Sequence, residues 1–295
     1  MPTGNADSQS RTARKITKPS DNAKYGLHRY GYILGRTLGS GAYGKVKSAH
    51  SLKLNKQVAI KMINKKTAPK DMLTKFLPRE IEAMRKVDHE NTVKLYEVIH
   101  TEDYVYLVME LAEGGDLLDF INSRKYLSER TAQSLFADLV SGISKCHSVK
   151  VVHRDLKCEN VLLDSRLRLK ISDFGFARSH EGKKLETYCG SYAYAAPEVI
   201  MGDPYQGEEA DIWSMGVILY AMVAGRLPFK DTDLKSLLSE IGTRLHFPNR
   251  VSAECQDLIR SMLTFSPKER ATLAEIKSHP WMAKTKKADD QTPEI

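Results

Sequence analysis

The stretch Val152-His153-Arg154-Asp155-Leu156-Lys157-Cys158-Glu159-Asn160, followed at Asp173-Phe174-Gly175 by a second acidic position, decides the reading of this chain. Asp155, Lys157 and Asn160 lie within five positions, and Asp173 follows Asn160 by thirteen. These residue types suit the movement of a phosphoryl group. Asp155 can act as general base, or orient the incoming hydroxyl. Lys157 can neutralise charge on the group in transfer. The amide of Asn160 and the carboxylate of Asp173 offer hard oxygens to Mg2+, which prefers few carboxylates plus phosphate and water. A β-type run, Leu167 to Ile171, separates the two acidic positions.

Working outward towards the N-terminus, Leu38-Gly39-Ser40-Gly41-Ala42-Tyr43-Gly44-Lys45-Val46 reads G-x-G-x-x-G-x-V. Glycines let backbone amides approach phosphate oxygens with no Cβ in the way. The same motif opens dinucleotide-binding folds, where it runs into a helix and an acidic residue follows about 20 positions on. Here Lys45-Val46-Lys47-Ser48-Ala49 continues as strand, Val58-Ala59-Ile60-Lys61 follows a turn, and a Lys stands at that distance. The pattern predicts a hairpin lid over a nucleotide. Lys61 can reach the α- and β-phosphates if an anion holds it. Glu80 is the expected partner. Glu82 is its nearest rival, but Glu80 stands four residues before the apolar Met84.

The composition bounds the class. At 295 residues the chain can bury a sizeable core. It is 41% hydrophobic and 28% charged, ordinary for a globular protein. No apolar run reaches the roughly 18 residues of a membrane helix, and residues 1–20 lack the apolar core of a secretory signal. Cys146, Cys158, Cys189 and Cys255 show no CxxC pairing, which fits a reducing, cytoplasmic setting and not a disulfide scaffold or zinc site. The net charge is +8, and residues 1–30 carry six Lys/Arg against two Asp. That tail reads as a disordered basic arm. Nothing matches a nucleic-acid module, so the charge alone does not imply DNA or RNA.

Order is expected from Tyr30 or so. Glycine-punctuated β-type runs extend to Ile60, and Tyr104 to Met109 is a further strand. Leu77 to Val87 has helical spacing, with Ile81, Met84 and Val87 on one face. Glu113-Gly114-Gly115-Asp116 interrupts the β pattern as a linker. Helices then follow: Leu127 to His147, with Ser128 and Thr131 as a capping start, Asp211 to Ala224, Ser236 to Ile241, Ala253 to Leu263 and Leu273 to Met282. The expectation is an α+β chain: a small antiparallel β lobe with one main helix, joined near residue 112 to a larger helical lobe.

H-R-D-x-x-x-x-N, D-F-G, the glycine loop, Val58 to Lys61 and Ala196-Pro197-Glu198 stand in the order and spacing of protein kinases. The chain resembles a eukaryotic Ser/Thr protein kinase of the calcium/calmodulin-dependent and AMP-activated kinase group. Phe76-Leu77-Pro78-Arg79-Glu80-Ile81-Glu82, His153 to Lys157 followed by Cys158, and Tyr194-Ala195-Ala196-Pro197-Glu198-Val199-Ile200 resemble the testis-specific serine kinases more narrowly. Most kinases have Pro where Cys158 stands.

The resemblance implies a bilobal kinase domain over 31–282, with lobes 31–112 and 113–282, a tail over 1–30 and a polar tail over 283–295. It implies transfer of the γ-phosphoryl of ATP, with Mg2+, to Ser or Thr of protein substrates. Besides the glycine loop and Lys61, it assigns nucleotide contacts to Ala59, Met109, Glu110, Ala112 and Leu162. The segment Asp173 to Glu198 becomes an activation segment with Thr187 as phosphosite, modified by an upstream kinase or by the chain itself. Arg154 and Arg178 would grip that phosphate, which adds about −1.5 to −2 charge. Glu198 is expected to pair with Arg270, and Asp211 to accept backbone bonds from the catalytic loop. Asp116 and Glu159 would face an Arg upstream of the acceptor. Tyr192 departs from the Gly-Ser-Pro usual in relatives, next to the pocket for the residue after the acceptor. The resemblance further implies a role in sperm development or the flagellum. No calmodulin-binding helix or ubiquitin-associated domain is evident after residue 282, so a monomeric catalytic domain without C-terminal autoinhibition is expected. A pseudokinase scaffold is the rival within the same fold; it predicts loss of Lys61, Asp155, Asn160 or Asp173, and all four are present.

Overall fold

The structure, a computed structural model, describes residues 26–41, 44–179, 185, 192–229, 234–241 and 245–283. Ala42, Tyr43, Thr187 and most of both expected tails lie outside the described residues. The described residues form two compact units, one within 26–67 and 96–110, the other within 68–95 and 111–283.

The first unit is an antiparallel sheet. Its strands are β1 (Tyr32–Gly41), β2 (Gly44–Ser51), β3 (Lys56–Asn64), β4 (Leu95–His100) and β5 (Tyr104–Glu110), in the order β1-β2-β3-β5-β4. One face gathers Leu27, Tyr32, Leu34, Ala49, Val58, Ile60, Met62, Ile99, Tyr106 and Val108. Period-2 alternation puts the strand residues of that set on a single side, as the β-type runs predict. Tyr32 reaches from this core to Glu97, donating its hydroxyl at 2.6 Å. Burial, and then Glu97, push its pKa up to about 12.

The second unit is mostly helical. It holds α1 (Leu77–Lys86), α2 (Leu117–Arg124), α3 (Glu129–Ser148), α4 (Pro197–Met201), α5 (Gly207–Ala224), α6 (Leu234–Ile241), α7 (Ala253–Met262), α8 (Leu273–Ser278) and α9 (Pro280–Ala283). Short strand pairs cross it: β6 (Val151–Val152) with β9 (Arg178–Ser179), and β7 (Val161–Leu163) with β8 (Leu169–Ile171). The long helix α3 starts where Ser128 accepts from the Thr131 N–H at 3.2 Å, so the predicted cap holds. Leu135, Leu139, Ile143 and Cys146 are all buried on its inner face. Helix α5 is buried nearly all round, which suits a central helix. A Cβ at Gly216 would come within 2.9 Å of the Met262 Cβ, so only glycine lets α5 and α7 approach this closely.

Several boundaries differ from the sequence expectation. Leu273 to Met282 is two helices, because Pro280 forces His279 out of helical geometry to φ −61°, ψ 139°. Helix α5 begins four residues before Asp211, and α6 begins at Leu234, two residues before Ser236. Leu167 belongs to a turn at φ 59°, ahead of β8. On α1 the buried residues are Leu77, Glu80, Ala83 and Met84, with Val87 just beyond the helix; Ile81 is only half-buried. That helix, expected with the β lobe, groups with the second unit, where it packs on the turn Phe174–Phe176 and on β9.

Candidate active site

In the first unit, strand register brings the expected nucleotide contacts to one sheet face. Val46 pairs with Lys61, Lys61 with Leu107, and Ala59 with Met109. Directly opposed residues share a face, as do residues two apart on a strand. Val46, Ala59, Lys61 and Met109 therefore lie on the same side, and Gly39 and Gly41 follow through their pairing with Val46 and Gly44. The glycines differ in cause. A Cβ on Gly44 would meet the Met62 carbonyl oxygen at 2.3 Å, so packing against β3 demands glycine there. Around Gly39 a Cβ would meet nothing within 4 Å, and at Gly41 only the Gly44 carbonyl oxygen at 4.0 Å. The fold itself does not exclude a side chain at either place, whereas a ligand approaching the backbone would. Leu38, Ser40 and Lys45 are exposed, and Glu110 ends β5.

In the second unit, the segment between β6 and β7 gathers Asp155, Lys157 and Asn160. Asp155 and Asn160 are both buried. The Asn160 Nδ2 donates to the Asp155 main-chain oxygen at 2.8 Å and to its Oδ2 at 2.9 Å. Lys157 Nζ lies 3.0 Å from Asp155 Oδ2. Strand β8 then delivers Asp173. Ser172 ties it back, donating both its N–H (2.9 Å) and hydroxyl (2.8 Å) to the Asn160 carbonyl. Asp173 itself takes a left-handed conformation, φ 57°, ψ 72°. His153 Nε2 donates to the Ser172 oxygen at 2.9 Å, and its ring meets Phe174 at 5.1 Å between centroids. Glu80 is 1% exposed and close to this turn: a Cβ at Gly175 would lie 3.9 Å from its Oε2 and 3.2 Å from Asp173 Oδ1. Glu82 is exposed and pairs with Lys86 on its own helix at 2.6 Å. Leu162 is half-buried on β7, and Ala112 follows β5 in the second unit.

Asp211 organises the loop from below. Its Oδ2 accepts from the His153 N–H at 2.9 Å and its Oδ1 from the Arg154 N–H at 2.9 Å, as expected. His147, which the sequence reading does not single out, donates Nε2 to Oδ2 at 2.9 Å. Burial works against the Asp211 carboxylate, but the bonds and charges of the two histidines and the Arg154 backbone bond outweigh it, and its pKa is held below the ordinary range. These bonds hold Arg154 at φ 69°, an uncommon conformation for a side-chain-bearing residue. The Arg154 Nε donates to the Tyr205 hydroxyl at 3.1 Å. Arg178 pairs through its backbone with Val152.

The remaining expected residues fall into two groups. Arg270 and Glu198 form a buried two-bond pair at 2.8 and 2.9 Å, and Arg270 also donates to the Glu209 carbonyl. Asp116 and Glu159 both stand near Cys158, whose pKa is pushed up to about 12 by burial and then by these carboxylates, against a bond from Tyr194. Asp116 also caps α2, accepting from the Asp119 N–H at 2.8 Å. Glu159 is exposed and accepts from the Tyr194 hydroxyl at 3.5 Å. Tyr192 is exposed and opens the 3-10 turn that ends at Tyr194.

An antiparallel five-stranded sheet followed by this helical unit, with the Asp155–Asn160 and Asp173 motifs in place, defines a protein kinase. Residues 32–282 match the protein kinase domain family, and the chain belongs to it as a serine/threonine kinase. It is similar to the mouse testis-specific serine/threonine-protein kinase 1, at 49% identity over 266 residues, covering 87% of this chain and 73% of that one. The human testis-specific serine/threonine-protein kinase 3 is 45% identical over 262 residues, covering 86% and 97%. A serine/threonine protein kinase of rice, OSK3, is 44% identical over 265 residues, covering 88% of this chain and 52% of that one. Among the described residues no helix is long and apolar enough to cross a membrane.

Proposed function

We propose that this chain transfers the γ-phosphoryl of MgATP to Ser or Thr of protein substrates with basic residues before the acceptor. One observation carries the reading: Asp155, Lys157 and Asn160 converge within hydrogen-bond distance, and Asn160 is tied to the residue before Asp173. Asp155 orients the acceptor hydroxyl and takes its proton. Lys157, already beside Asp155, steadies the charge on the phosphoryl group. Within the first unit the nucleotide would be held by the open backbone of Gly39 and Gly41 and by Val46, Ala59, Lys61, Met109 and Glu110. Because the Asn160 amide nitrogen is committed to Asp155, its oxygen would serve a cation, with the carboxylate of Asp173, the residue after the one tied to Asn160, as the second ligand. Two such oxygens suit Mg2+, which keeps several waters and binds phosphate. When bound, Mg2+ would neutralise the phosphate oxygens.

Asp116 and Glu159 give this site a preference for Arg ahead of the acceptor, through charge-assisted bonds. Phosphorylation of Thr187 raises activity, through Arg154 and Arg178. Likeness to relatives named testis-specific supports a role in sperm development, in the cytoplasm or flagellum. Incubating the purified chain with γ-labelled ATP and a basic Ser/Thr peptide, with and without Mg2+, tests the central reading. Label should enter the peptide only with Mg2+. No incorporation, or equal incorporation with Asp155→Asn, refutes it.

A further inference from the structure

Tyr205, in the turn between α4 and α5, is joined to two separate pieces of the second unit. Its backbone forms an antiparallel bridge with Leu185: Leu185 N to Tyr205 O is 2.9 Å and Tyr205 N to Leu185 O is 3.0 Å. Both residues are buried, at 5% and 2% exposure. Its hydroxyl accepts from the Nε of Arg154, next to Asp155. The Arg154 backbone is itself fixed, its N–H on Asp211 and its φ at +69°. A hydroxyl at this one position therefore links the backbone at Leu185, inside the segment Asp173 to Glu198, to the side chain of the residue that precedes the proposed base. Ordinary core packing would need the ring of Tyr205 but not its oxygen. Burying a hydroxyl without a partner is costly, and here the loop arginine is a partner.

We infer that Tyr205 is a positioning residue for the phosphotransfer reaction: its hydroxyl sets the Arg154 side chain, and through it couples the backbone at Leu185 to the placement of Asp155. The inference rests on the role proposed for Asp155. Tyr205→Phe keeps the ring and the backbone bridge and removes only the hydroxyl. In the full chain it should lower kcat about fivefold, the size of one lost hydrogen bond, and leave KM for ATP unchanged. A double-mutant cycle with Arg154→Gln separates positioning from general damage, because the second loss should shrink to under about twofold if the two residues act through each other. Wild-type kcat in Tyr205→Phe overturns the inference, as does an equal loss in both backgrounds. So does a fall in Tm above about 8 °C, because a lost architectural contact would then explain the drop in rate. An inactive wild-type chain would instead overturn the proposed function, and this inference with it.

Discussion

Asn160 holds Asp155 at two points, its amide nitrogen donating to both the carboxylate and the main-chain oxygen of the same residue. A carboxylate gripped this way has one orientation to offer an acceptor. Positioning dominates in phosphoryl transfer, where the transition state is loose and little proton transfer occurs early. Asp155→Asn should keep nucleotide binding and lower kcat by about 10² to 10⁴, the usual worth of a positioned acid–base group. Binding is read by titration with a fluorescent ATP analogue and rate by label transfer. Near-wild-type turnover would refute the assignment.

Glu198 and Arg270 test a different kind of interaction. Their two-bond pair is buried, and the guanidinium also satisfies the Glu209, Thr264 and Phe265 carbonyls. Removing one partner leaves the other charged and unpaired. Arg270→Ala should cost about 3–5 kcal/mol in unfolding free energy. Arg270→Lys should recover little, because an ammonium cannot reproduce the planar fork. Urea unfolding followed by circular dichroism measures both, and a loss under about 1 kcal/mol for Arg270→Ala would show the pair to be inessential.

Much of the molecule was legible in the sequence where a local rule acts alone. Ser128 announces α3 because a cap needs only the three residues after it, and β1, β2, β3 and β5 follow from alternation and glycine turns. The Glu198–Arg270 pair and the backbone bonds to Asp211 follow from the motif frame. What stayed hidden depends on distant chain. His147 sits near the end of a helix like any polar residue, and only the fold brings it 64 residues along to Asp211. Tyr205 carries no local signal at all; its partner is 51 residues away. The break at Pro280 was visible in the sequence, but the apolar run across it suggested one helix. Arg178 and Thr187 take their roles from the motif frame: the structure describes the backbone of Arg178, and Thr187 lies outside the described residues.

Helical phase separates the two acidic candidates on α1. Glu80 shares the buried face with Leu77, Ala83 and Met84, whereas Glu82 points outward to Lys86. An exposed pair spaced i, i+4 contributes only about 0.3–0.5 kcal/mol. Glu82→Gln should therefore leave kcat within about twofold of wild type. Glu80→Gln should lower kcat by about tenfold or more, because it replaces a buried carboxylate beside the Asp173–Gly175 turn with an amide. Equal kinetics for the two variants would remove Glu80 from the proposed site.

Asp211 predicts a pH signature whose sign follows from its depressed pKa. In the unfolded chain this carboxyl titrates near its ordinary value of 3.8, and in the folded protein lower. The folded state therefore favours the charged form, and the stabilisation is complete above the unfolded value. It is lost as pH falls from there through the folded value. Asp211→Asn removes that charge and turns an amide group towards donors that need an acceptor. The variant should be less stable by about 3 kcal/mol at neutral pH. Urea midpoints measured from pH 7 down to pH ~3 should show a constant gap to about pH 5, then a narrowing one. A gap that stays level to the acid end, or widens, would mean that the carboxylate charge contributes nothing to holding the loop.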